Sequence, residues 1–98
     1  MTRSDVIARI EETIDQIVDE DDIIALIASS NATDWRVAKK DISGVTVTNE
    51  RGYAVITFTL KGDQKEDQAY AGNEIKGRCT AQVDPSGVSY SIVDANVI

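Results

Sequence analysis

Residues 53–60 read Tyr53-Ala54-Val55-Ile56-Thr57-Phe58-Thr59-Leu60, and this alternation decides the fold class. Ala54, Ile56, Phe58 and Leu60 point one way and Val55, Thr57 and Thr59 the other, the period of a strand with one face on a core. Upstream, Asn49-Glu50-Arg51-Gly52 suits a tight hairpin turn with glycine available for positive φ. A strand over Ile42 to Thr48 is expected before it, preceded by an extended piece at Trp35 to Ala38 and a loop at Asn31 to Asp34. Downstream, a polar connection is expected from Lys61 to about Gln68. A third strand follows, with Ile75, Cys79, Ala81 and Val83 on one face and Lys76, Arg78, Thr80 and Gln82 on the other. Asp84-Pro85-Ser86-Gly87 has proline and glycine where a tight turn wants them. The fourth strand, Val88 to Val97, carries Val88, Tyr90 and Ile92 in one register and Val93, Ala95 and Val97 in the other. A bulge near Ile92 to Asp94 would reconcile the two.

The chain before these strands follows a different period. Val6, Ile7, Ile10, Ile14, Ile17 and Val18 recur at spacings of three and four, which predicts an amphipathic helix from Ser4, its expected N-cap, to about Val18. An unbroken helix through Ala28 would place Asp21 within the apolar stripe, one turn from Ile17 and Ile24. A break within Asp19 to Asp22 is therefore expected, with a second helix from about Glu20 to Ser29 whose apolar face is Ile23, Ile24 and Ile27 and whose first-turn acids meet a favourable dipole.

Helices first and hairpin-linked strands after predict an α+β fold. Its expected form is an N-terminal helix or kinked helix pair (residues 4–30) packed on a four-stranded antiparallel meander (residues 42–98). A chain of 98 residues leaves room for one core, so residues 1–98 are expected to form a single domain. The element order is similar to a cystatin-like sheet wrapping a helix, a likeness that carries no function.

Charge is distributed as unevenly as structure. The formal net charge is −7, and residues 1–34 alone hold nine acids against Arg3 and Arg9, while residues 35–98 hold eight of each sign. A surplus of carboxylates disfavours direct nucleic-acid binding. Histidine is absent and Cys79 is the single cysteine, so no His-based triad, paired-thiol metal site or internal disulfide can be built. No nucleotide-binding or EF-hand motif is present. No apolar signal core follows Met1, and the longest apolar run, Ile23 to Ala28, falls far short of the roughly 20 residues that span a bilayer. A cytoplasmic protein without cofactor, metal or membrane partner is expected.

Three places invite a functional reading. On a regular helix at about 100° per residue, Glu11, Glu12, Asp15, Asp19 and Asp22 gather on one side, away from the apolar stripe. They read first as a solvated face that maintains solubility, and otherwise as a docking surface for a basic protein partner. A loop site at Asp67, Tyr70, Asn73 and Glu74 is the alternative, because long connections concentrate function, and Glu66 with Glu74 is a carboxylate pair of the kind used in acid–base chemistry. Trp35 suits closure of a core end or an interface anchor, and Cys79 suits core packing as a small hydrophobe. The leading expectation is a small non-catalytic interaction protein, accessory, inhibitory or immunity-type, acting through the acidic helical surface. The other two are a small-molecule-binding or enzymatic domain with a pocket between helix and sheet, and a homodimeric structural protein with a seam at Val93, Ala95 and Val97.

Overall fold

A computed structural model describes residues 1–30, 32–64 and 73–98. The architecture is α+β, with an N-terminal helical layer on a four-stranded antiparallel meander. Helix α1 spans Arg3–Thr13, a 3₁₀ segment follows over Ile14–Asp19, and α2 spans Asp21–Ala28. Strands β1 (Ala32–Thr48), β2 (Arg51–Gln64), β3 (Glu74–Asp84) and β4 (Gly87–Val97) lie in sheet order β1-β2-β3-β4.

The N-cap of α1 is Thr2, not Ser4. Thr2 Oγ1 accepts the Asp5 N–H at 3.1 Å, and Asp5 Oδ2 accepts the Thr2 N–H at 2.9 Å. The reciprocal pair satisfies two backbone donors that a helix start leaves orphaned, and the Thr2 N–H, above all, holds the Asp5 carboxyl below its ordinary range. Val6 and Ile10, four apart, are buried on α1, and Ile14 and Ile17, three apart, are buried on the 3₁₀ segment. Three residues per turn place Ile14 and Ile17 one above the other, so the change of helix type keeps both on the sheet. The expected break falls at Glu20, whose φ of −69° and ψ of 140° are extended. The face of α2 differs from the expected one: Ile23 is buried, Leu26 and Ile27 are half-buried, and Ile24 is 48% exposed.

Strand β1 is longer than the sequence suggests, absorbing the Trp35 piece and the Ala32–Asp34 part of the expected loop. Its pairing with β2 shifts at Thr33/Arg36, Val37/Lys39 and Ser43/Thr46. Each shift inserts unpaired backbone and interrupts the period of two by which strands are recognised. Asp34 and Gly44, with φ of 55° and 58°, lie within two of the shifts. Strand β2 likewise runs on to Gln64, taking in the start of the expected polar connection. In the β1–β2 turn it is Asn49, at φ 54°, that adopts the left-handed conformation, which asparagine tolerates. Gly52 belongs to β2, where a Cβ would collide with Val6 of α1, so this glycine lets helix and sheet touch.

The core is one cluster. Ala54, Ile56, Phe58 and Leu60 of β2 and Ile75, Cys79, Ala81 and Val83 of β3 are buried against the helical residues, as the alternation predicts. Full burial of each branched or aromatic side chain contributes about 1.5–3 kcal/mol before conformational entropy is set against it. Trp35 closes one end: its Nε1–H donates to the Ala32 carbonyl at 3.3 Å, and its ring covers Gly62, where a Cβ would come within 2.8 Å of Cε2. On β4 the register shifts between Arg78 and Cys79, whose partners are Asp94 and Ile92, leaving Val93 as the extra residue. Ala95 and Val97 are thereby returned to the core side, opposite Gly77 and Ile75. The expected seam of Val93, Ala95 and Val97 is not one face.

Candidate functional site

Two long-range contacts seat the helical layer. The Arg9 guanidinium donates to the Asp84 carbonyl at 2.6 Å, fastening α1 to the β3–β4 turn. The Tyr90 hydroxyl lies 2.7 Å from Thr13 Oγ1 and 3.2 Å from the Ile10 carbonyl oxygen. Burial raises the Tyr90 pKa, which keeps the phenol neutral and able to donate. Neither contact is visible in the sequence, because the partners are 75 and 80 residues apart.

On this scaffold Glu11, Glu12, Asp15, Asp19 and Asp22 are all exposed. They do not form one helical stripe. Glu11 and Glu12 close α1 and Asp15 follows one turn on, whereas the 3₁₀ segment aligns Asp19 with Gln16, and the extended Glu20 resets the direction before Asp22. The acids thus divide into a group at residues 11–15 and a group at residues 19–22, to which Glu20 and Asp21 belong. Asp21 and Asp22 occupy the first turn of α2, where the dipole favours them. Glu11 and Glu12 occupy the last turn of α1, which has no base and where the dipole opposes a carboxylate. None of the five takes part in an ion pair among the described residues, and no three carboxylates there converge closely enough to hold a metal ion. Glu12 also rims an open depression with Asp5, Arg9, Glu50 and Pro85.

The alternative loop site is half accounted for. Asp67 and Tyr70 lie outside the described residues, as does Glu66. Asn73 and Glu74 both have partners in the sheet. Asn73 Nδ2 donates to the Gly62 carbonyl at 3.4 Å while its own carbonyl accepts the Gly62 N–H at 2.9 Å. Glu74 stands opposite Lys61 and 4.0 Å from Lys76 Nζ.

The open face of the sheet carries charge of both signs in register. Asp41, Thr57, Arg78 and Asp94 make one row across the four strands, and Lys39, Thr59, Lys76 and Asn96 the next. Arg78 reaches Asp94 at 3.4 Å and Arg36 reaches Asp63 at 3.1 Å. Beneath this face Cys79 is fully buried. Burial first, and the charge of Glu20 second, push its thiol up to about 11, so it is not a reactive thiolate at neutral pH.

No buried side-chain nitrogen or oxygen lacks a hydrogen bond among the described residues, and no helix there is long and apolar enough to cross a membrane. No protein family, curated protein or solved structure matches the chain.

Proposed function

We propose that this chain is a small non-catalytic interaction protein that docks its acidic helical layer on the basic surface of a protein partner. The observation that carries the reading is the set Glu11, Glu12 and Asp15: exposed and without an ion-pair partner among the described residues, with Glu11 and Glu12 in the last turn of α1, where the dipole disfavours acids. Stability alone favours lysine or arginine there. A basic partner supplies the missing countercharge and steers its own approach.

The test is affinity capture of the full chain from its native cell, run beside the variant Glu11→Gln/Asp15→Asn/Asp19→Asn/Asp22→Asn, which removes four charges at nearly constant size. The expected result is a stoichiometric basic protein that is released by salt and lost from the variant. Its association rate with the wild type should fall as ionic strength rises. A partner that binds both forms equally, at a rate insensitive to salt, places recognition elsewhere on the molecule. Absence of any protein partner overturns the reading.

A further inference from the structure

The two edges of the sheet are built differently. β1 presents Arg36, Lys39, Lys40 and Asp41 and breaks its register three times, devices that prevent an edge from pairing with another strand. β4 is the other edge, and alternate residues along it turn N–H and C=O groups away from β3. Between Val88 and Val97 it contains no lysine and no proline, and its single charge, Asp94, is engaged by Arg78. We propose that two copies of this chain join through this edge, antiparallel about a two-fold axis at Tyr90, so that one sheet continues across both.

The occupant follows from the sequence of the edge itself. Val88-Ser89-Tyr90-Ser91-Ile92 has the same chemistry read in either direction. Pairing about Tyr90 sets Val88 opposite Ile92 of the second copy and Ser89 opposite its Ser91. A two-fold interface requires this self-complementarity, because each surface must meet itself. The core is also partly open along this edge, on either side of the buried Tyr90. Val88 and Ile92 are half-buried, whereas their neighbours on β3, Val83 and Cys79, are fully buried. A second copy covers the exposed side of both. The bulge residue Val93, 53% exposed, ends the regular stretch and confines pairing to Val88–Ile92. Residues 87–92 carry no charge, so the paired edges themselves add no like-charge contact, while the surplus of −7 lies in residues 1–34. With β1 guarded, each copy has one edge to offer, and the assembly closes as a dimer instead of growing into a filament.

This inference is independent of the acidic docking surface, and its test uses the chain alone. Sedimentation equilibrium from micromolar to millimolar concentration should give twice the chain mass of 10.7 kDa. Ser89→Lys/Ser91→Lys places like charges opposite one another on the exposed face of the edge and should yield a monomer with unchanged far-UV circular dichroism at concentrations where the wild type is wholly dimeric. Ser89→Cys/Ser91→Cys should form a reducible covalent dimer under mild oxidation, which reports the register even if the lysine variant misfolds. A wild type that stays monomeric throughout overturns the proposal. So does a dimer that survives the lysine pair in a folded variant, or a cysteine pair that does not cross-link.

Discussion

The helical layer and the open face of the sheet treat charge in opposite ways. On the sheet, acids and bases are intermingled, and Arg36–Asp63, Lys76–Glu74 and Arg78–Asp94 are ion pairs. On the helices, Glu11, Glu12, Asp15, Asp19 and Asp22 have no such partner among the described residues. Exposed ion pairs contribute little to stability, so the sheet is compensated without being strengthened much. The helical layer forgoes even that, and solubility or recognition remains as its reason. Part of the charge on the sheet is paired locally; on the helices the five acids are left for solvent or a partner.

Experiments that separate the layers sharpen this contrast, and the largest effect belongs to the seam between them. Phe58 is fully buried between sheet and helices, and Phe58→Ala should cost about 3–5 kcal/mol. Far-UV circular dichroism, following the helices, and Trp35 fluorescence, following the sheet end, should shift together in chemical denaturation. Two separated transitions would mean that the layers are independent, and a comparison of them as faces of one body would fail.

Alkaline unfolding gives the next largest effect. The folded thiol of Cys79 titrates near 11 against an ordinary 9.0, so between these values the native state holds a proton that the unfolded chain has released. Stability is then complete below about pH 9 and falls as pH rises through about 11, with a slope of up to about 1.4 kcal/mol per pH unit. The raised Tyr90 pKa acts in the same direction. Cys79→Ala should flatten the slope; an equal slope in the variant would assign the effect to other groups. At neutral pH the wild-type thiol should label slowly in native buffer and fast in denaturant.

Tyr90→Phe removes the hydroxyl at Thr13 and Ile10 and should cost about 1 kcal/mol. It tests whether polar contact, as well as apolar burial, seats the helices on the sheet. A loss below about 0.3 kcal/mol, within the reach of denatured-state effects, would leave apolar packing alone in that role.

The smallest effects bear most directly on the contrast, because they have opposite signs. Asp94→Asn opens an exposed pair on the sheet and should destabilise by about 0.2–1 kcal/mol. Replacing Glu11 and Asp15 by their amides relieves a like-charge pair one turn apart and should stabilise by about 0.2–0.5 kcal/mol. Added salt should shrink both differences. If neutralising the helical acids destabilised the fold instead, those acids would have structural partners, and the case for leaving them to an external base would weaken.

Local patterns along the chain were enough for the fold class, the meander, the break near Glu20, the turn at Asp84–Gly87 and the bulge at Val93. Each rests on a period or turn signal confined to neighbouring residues, as in Ala54 to Leu60, where every second side chain must be apolar if one face is to be dry. The full length of β1 was illegible, because its three register shifts disrupt the only period a strand has. Thr2 displaced Ser4 as the cap because hydrogen bonding to Asp5 settles where the first turn begins. The exposed, acidic character of the candidate site was legible, since carboxylates with no nearby base on an amphipathic helix must face water. Its geometry was not. A helical wheel assumes one constant rotation per residue, and packing Ile14 and Ile17 against the sheet changed that rotation at Ile14, so the single stripe became two groups. Which charges and polar groups are paired was settled by tertiary contact, because Arg9 with the Asp84 carbonyl, Arg78 with Asp94 and Tyr90 with Thr13 depend on how elements distant in sequence come together.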